Sequence, residues 1–245
     1  MSLFDLNGKT ALVTGANTGI GQAIAVSLAQ AGASVICAGR SSCDETIAQI
    51  EGAGGQASGL KLDLSDPLAG AGAFDSPVDI LVNNAGIIRR ADSVDFTEED
   101  WDAVMDVNVK AVFFMCQAFA RAAFARGAGG SIINIASMLS FQGGIRVPSY
   151  TASKHGVAGL TKILANEWAS RGITVNAIAP GYIATNNTEA LRADAERNKA
   201  ILDRIPAGRW GEPEDIGGTA VFLASRAAKY INGAVLNVDG GWLAR

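Results

Sequence analysis

Apolar positions along the chain keep switching between two periods. Short, almost unbroken apolar runs recur at 9–13, 34–38, 59–62, 78–82, 131–136, 173–178 and 234–238, and each reads as a strand. Between them apolar residues step by three and four. Ile20, Ile24 and Leu28 do so after the first run; Val104, Val107, Ala111, Phe114 and Ala118 do so inside a helix predicted over 100–126; Val157, Leu160, Ile163 and Leu164 do so in a helix that begins near Tyr150. The stretch 65–76 is short and rich in Gly and Ala, which predicts a crossover helix that is brief or partly irregular. Residues 188–204 keep helical spacing but carry Arg192, Asp194, Glu196, Arg197 and Lys199. They read as a solvated helix with one apolar edge folding down, part of a substrate lid expected at about 182–210. Glu212-Pro213-Glu214-Asp215 opens a further helix, with Pro in its first turn and acids at its positive end. No repeat, low-complexity tract or linker interrupts this α/β pattern, so a single domain is expected over 1–245.

Composition narrows the class. A chain of 245 residues that is 49% hydrophobic and 18% charged can bury a large core. With 24 acids against 20 bases, the formal charge of −4 argues against nucleic acid as a partner. Without a long apolar run or a basic-then-apolar start, neither a membrane span nor a signal peptide is expected. Cys37, Cys43 and Cys116 are odd in number and lack CxxC spacing, which suits reduced thiols in a cytoplasmic protein, two of them in core elements. His155 is the single histidine, so no metal site and no Ser-His-Asp triad is expected.

The chemistry concentrates at strand ends. The first strand runs into Gly15-Ala16-Asn17-Thr18-Gly19-Ile20-Gly21, a glycine-rich turn opening a helix, where backbone and helix N–H groups can approach a pyrophosphate. The second ends at Gly39-Arg40-Ser41; an acid here would hold ribose hydroxyls, whereas Arg40 can hold a 2′-phosphate or lie flat on an adenine. Asp63-Leu64 ends the third and is a plausible contact for the adenine edge. After the fourth, Asn83-Asn84-Ala85-Gly86 allows a ribose to sit against the backbone. Asn108 lies within an apolar helix and needs a partner. Ser137 ends the fifth strand, and Tyr150 and Lys154 stand one helical turn apart, on one face. A hydroxyl, a phenol and an ammonium together suit proton transfer to a carbonyl oxygen, the ammonium favouring the phenolate.

These motifs, TGxxxGIG at 14–21, NNAG at 83–86, Asn108, Ser137, the YxxxK pair Tyr150/Lys154 and Pro180-Gly181, resemble the short-chain dehydrogenase/reductase family in order and spacing across essentially the whole chain. The resemblance implies a Rossmann-type doubly wound domain, a seven-stranded parallel sheet of order 3-2-1-4-5-6-7 with helices on both faces. It makes Tyr150 the general acid/base, Lys154 the residue that binds the nicotinamide ribose and lowers the phenol, and Ser137 the residue that orients the substrate carbonyl. Asn108 would hold a water linking Lys154 to solvent. Pro180, Gly181, the backbone near Ile183 and the Thr185 hydroxyl would meet the nicotinamide.

Finer segments, 87–90, 137–150, 182–187 and 241–245, resemble members of the family that interconvert a ketone and a secondary alcohol on a six-carbon keto-deoxy sugar acid in pectin and uronate breakdown. That branch implies NAD as the cofactor, with NADP the alternative that Arg40 suggests. It also implies a cytoplasmic homotetramer with the apolar C-terminus at subunit contacts. For the substrate the residues are Arg146, expected to clamp the carboxylate, its competitor Arg90, and Gln142 and Asn187. The other readings are a 3-oxoacyl-carrier-protein reductase or another short-chain alcohol dehydrogenase and, from a different class, a dinucleotide-binding regulator without turnover. The intact Asn108, Ser137, Tyr150 and Lys154 argue against the last.

Overall fold

The computed structural model describes residues 3–244. Seven strands form one parallel sheet in the order β3-β2-β1-β4-β5-β6-β7: β1 Thr10–Thr14, β2 Ser34–Gly39, β3 Gln56–Lys61, β4 Ile80–Asn83, β5 Gly130–Ile135, β6 Ile173–Pro180 and β7 Val235–Val238. Side chains alternate across each strand, and here both faces are covered. Ala11 and Val13 of β1, Ile80 and Val82 of β4, and Ile133 of β5 join one buried layer with Ile24, Leu28, Ile216 and Leu223. Leu12, Leu81 and Ile132 point the other way, into Val112, Met115, Phe119 and Leu164. Central strands are therefore apolar at most positions, which is why they appear in the sequence as runs.

The first layer is built by α1 (Gly19–Gln30) and α8 (Glu214–Ala224), with α2 (Asp44–Gly52) beside them. The two long helices approach closely because Gly217 has no side chain; a Cβ there would fall 2.0 Å from Ser27 Oγ. The second layer holds α3 (Glu98–Met105), α4 (Ala111–Ala125) and α5 (Pro148–Trp168). Helices α3 and α4 form one continuous rod through a π turn at Asp106–Lys110, so the predicted 100–126 helix carries an unforeseen extra residue in its winding. By length and apolar content this rod could cross a membrane, but 50% of its apolar window is buried inside the protein.

Other differences have local causes. Strand β3 begins earlier than predicted because it is an edge strand whose Gln56 and Ser58 face solvent, leaving little apolar signal. The crossover at 65–76 is a 3-10 turn, Ala69–Phe74, where a Cβ on Gly70 would meet Met115 Sδ at 2.0 Å. The predicted 188–204 helix breaks into α6 (Glu189–Ala193) and α7 (Ala195–Leu202) at Asp194, whose side chain accepts from Arg197 N at 3.0 Å and caps α7. All three cysteines are buried and free. Trp242, in the apolar C-terminal stretch, packs within its own chain against Met138, Ile201 and Ile205.

Amides tie the second layer to the sheet. Asn83 Nδ2 donates to Asn134 Oδ1 at 2.9 Å, Asn134 Nδ2 donates to Thr161 Oγ1 at 3.0 Å, and all three residues are buried. Asn134→Ala leaves buried donors and acceptors without partners. It is expected to destabilise the fold by about 1–3 kcal/mol per orphaned group, read as a lower urea midpoint at unchanged m value.

Candidate active site

Every element that bears chemistry ends at the carboxyl edge of the sheet, as ligand sites of such sheets require. There the ends of β1 and β4 are sewn together. Thr14 Oγ1 accepts from Asn84 N and Ala85 N, both at 3.0 Å, and Asn84 Nδ2 donates to Thr14 O at 3.0 Å and Gly15 O at 3.1 Å. The glycine turn is held open-backed against this seam. Gly15 and Gly19 have φ of 64° and 57°, and a Cβ on Gly21 would lie 2.1 Å from Gly15 O. Thr18 leads into α1 without capping it through its side chain, and no acid lies in the first turn. The helix thus presents uncapped N–H groups and a positive end, a cradle suited to a dinucleotide pyrophosphate.

On the other side Ser137 follows β5, and Pro148 starts α5 so that Tyr150 falls in its first turn and Lys154 one turn later. Lys154 is 5% exposed; its Nζ donates to Ile135 O at 2.7 Å and lies 5.4 Å from the Tyr150 ring centroid. Burial pulls the ammonium down to about 8. For Tyr150, burial pushes the phenol above its usual value, while a hydrogen bond from Ser137 and the charge of Arg90 pull it down. The ammonium sits over the ring and is bonded to a strand carbonyl, and the downward pulls come from Ser137 and Arg90.

Asn108, in the π turn, is 1% exposed. Its Oδ1 accepts from Ile87 N at 2.9 Å, and its Nδ2 donates to Ile87 O at 2.9 Å and to Ser153 Oγ at 3.2 Å. Both amide donors are thus committed to protein. Asn108 thereby fixes the segment that leads from β4 to Arg90 and, through Ser153, the start of α5 (Ser153 Oγ donates to Tyr150 O at 2.7 Å).

A cavity of about 780 Å³ joins the two sides, within the size range of small-molecule sites. Of the predicted cofactor residues, Gly15, Asn17, Thr18, Gly19, Ile20 and Gly21 line it, as do Arg40, Asn84, Ala85 and Gly86, and Gly181 and Thr185 further round. Ser137, Tyr150 and Lys154 line it too, with Arg90, Gln142 and Asn187 of the predicted substrate set. Asp63, Leu64, Pro180 and Ile183 lie outside the lining. Asp63 instead accepts from Ser65 N and Oγ, which hold its carboxyl below the usual range together with the nearby Arg40 charge.

Arg146 is the clear correction. It does not line the cavity; its Nε pairs with Asp92 at 3.0 Å, its side chain is 60% exposed, and its backbone is left-handed, with φ of 62°. Among the lining residues that sequence reasoning missed are Tyr182, Arg197, Arg204 and Trp242. The signal was present: Arg197, Ala200, Ile201 and Arg204 recur at helical spacing and share one face, but the density of charge around them reads as a solvated surface.

Residues 15–243 match the family model adh_short_C2, described as enoyl-(acyl carrier protein) reductase. The chain is 57% identical over 251 residues to the 2-dehydro-3-deoxy-D-gluconate 5-dehydrogenase of Dickeya dadantii, covering 100% of this chain and 99% of that one. A solved Agrobacterium tumefaciens structure described as a 2-deoxy-D-gluconate 3-dehydrogenase with bound NADP superposes with a TM-score of 0.99 at 70% identity, over 100% of both chains. A Beutenbergia cavernae structure described as an NAD(P)-dependent gluconate 5-dehydrogenase, also with bound NADP, gives 0.96 at 52% identity over 100% of both.

Gly21→Ala tests the cradle. Overpacking against Gly15 O amounts to about 1–3 kcal/mol, and where the turn opens to relieve it, NADPH affinity falls about 10- to 100-fold. Fluorescence titration of the reduced nicotinamide measures this, and a variant that binds like wild type would show that the turn is not the cradle.

Proposed function

This chain belongs to the short-chain dehydrogenase/reductase family, and on that premise we propose that it is an NAD(P)-dependent oxidoreductase interconverting a secondary alcohol and a ketone on a six-carbon keto-deoxy sugar acid, of the 2-dehydro-3-deoxy-D-gluconate 5-dehydrogenase type. One observation carries the reading: Ser137, Tyr150 and Lys154 share a cavity with the glycine turn, and among the described residues that cavity is lined by Arg40, Arg90, Lys154, Arg197 and Arg204 and by no Asp or Glu. Such a site accepts an anionic cofactor and an anionic substrate together. Bound along the glycine turn, NAD(P) would supply or accept the hydride. Ser137 holds the substrate oxygen beside the phenol. Tyr150 gives its proton to that oxygen in reduction and takes it back in oxidation. Lys154, committed to Ile135 O, fixes the ring and contributes positive charge nearby. Residues 182–210 act as a lid, α6 and α7 bringing their inner face over the substrate. The reading carries with it a cytoplasmic, homotetrameric enzyme of pectin and uronate breakdown.

For the coenzyme, support comes from Arg40 in the cavity lining and from NADP in the two solved relatives. We read the chain as accepting NADP through Arg40 while retaining NAD, which needs no 2′-phosphate contact.

Tyr150→Phe keeps NADPH binding and loses about 10²–10⁴-fold in kcat, measured at 340 nm with 2-dehydro-3-deoxy-D-gluconate; near-normal turnover would overturn the assignment. Because burial raises the phenol, the phenolate needed for alcohol oxidation becomes more abundant throughout the approach to its pKa. Oxidation should therefore accelerate as pH rises through the mildly alkaline range, while ketone reduction, which needs the neutral phenol, should not. In Arg40→Ala the ratio of kcat/KM for NADP over NAD is expected to fall about tenfold or more, a lost charge-assisted contact of about 1.5–3 kcal/mol. An unchanged ratio would remove Arg40 from coenzyme choice.

A further inference from the structure

The arginines around the cavity fall into two groups. Arg89 pairs with Asp100 and Arg146 with Asp92, each at 3.0 Å. Arg90, Arg197 and Arg204 all line the cavity, and among the described residues none has a carboxylate within 4.0 Å. Unpaired guanidinium groups converging on a space without acids call for an anion. The glycine turn and Arg40 occupy the dinucleotide end, which leaves these three at the substrate end.

They are not equivalent. Arg90 is close enough for its charge to act on the Tyr150 phenol, and its Nη2 donates to Asn187 O at 3.4 Å. It therefore serves the reacting oxygen. Arg204 is built differently. Its Cζ stands 4.1 Å from the centroid of the Trp242 ring, a cation–π arrangement. Trp242 is 4% exposed, its Nε1 donates to Gln142 Oε1 at 3.2 Å, and Tyr182 meets it edge-on at 4.8 Å. Gln142 belongs to the loop that leaves Ser137. The platform under Arg204 is thus referenced to the residue that orients the carbonyl, although Arg204 itself follows α7. A guanidinium laid on an aromatic face keeps its in-plane N–H edge free, and that edge matches a carboxylate with two parallel bonds.

Resting on the sugar-acid reading above, we propose that Arg204, carried on the Trp242 ring, is the specificity residue that takes the substrate carboxylate, so that substrate charge draws the 182–210 segment onto the site. Arg197, one face-turn earlier, supplies background potential without a platform of its own.

The test compares kcat/KM for 2-dehydro-3-deoxy-D-gluconate with that for its C1 carboxamide. In wild type the acid is preferred. In Arg204→Met that preference falls about 10- to 100-fold, the size of a lost charge-assisted hydrogen bond, chiefly through KM, and Arg204→Lys recovers part of it. Trp242→Leu lowers the preference with the charge still present. NADPH titration by fluorescence checks that each variant is folded; if Arg204→Met fails to bind NADPH, Arg204→Gln decides by the same ratio. A wild type with no preference for the acid overturns the sugar-acid reading and this inference with it. A wild-type preference that survives loss of Arg204, or that vanishes in Arg197→Met instead, overturns Arg204 alone.

Discussion

Among the described residues Lys154 is the one charged side chain classed with the buried core, and removing an ammonium from water is costly unless its surroundings restore what hydration gave. Here the restoring group is Ile135 O, at the last residue of a central strand. That bond requires β5 to stop where it does and α5 to start where it does, and Pro148 sets the latter. The position of Tyr150, one turn before Lys154, is then a consequence, as is the placement of Ser137 two residues beyond Ile135. Burial still drags the ammonium to about 8, so at neutral pH it remains charged but only by a modest margin.

Neighbouring amides relieve the same constraint at longer range. Asn134, one residue before Ile135, ties β5 to β4 through Asn83 and to α5 through Thr161. Asn108 ties the end of β4 to α5 through Ser153. The π turn around Asn108 shifts the register of the α3–α4 rod enough for an amide in an otherwise apolar helix to reach a strand end. Each of these polar groups would be expensive to bury singly; satisfied as chains, they hold strand ends and helix start in one arrangement.

The sequence made the sheet legible because its central strands are covered on both sides and so are apolar at successive positions. It made the glycine turn legible because φ values of 57° and 64° and a 2.1 Å approach to Gly15 O exclude side chains. Where an element is one-sided or exposed, as in β3, its boundary faded. The lid was harder. Asp194 is both a plausible helix-interior acid and a cap, and only the backbone turn reveals which. Arg146 and Arg204 show the same limit for function. Arg146 is near Ser137 and Tyr150 in sequence, and a clamp was expected there, but a left-handed backbone and Asp92 carry it away. Arg204 is more than fifty positions beyond Tyr150, and it reaches the cavity only because Trp242, Tyr182 and Ile201 close around one another.

The formal charge of −4 would by itself suggest a protein poorly suited to anions. The local field has the opposite sign. Asp92 and Asp100 are drawn to Arg146 and Arg89, Asp203 to Lys199, and Asp215 to Arg209, all away from the lining. These acids therefore neutralise outer cations and leave Arg90, Arg197 and Arg204 of the lining without a carboxylate partner among the described residues. Inside a cavity walled partly by protein, where screening by water is weaker than at an open surface, those uncompensated charges act over several ångströms. Selection of an anionic substrate in this fold thus depends as much on which arginines are paired as on which are present.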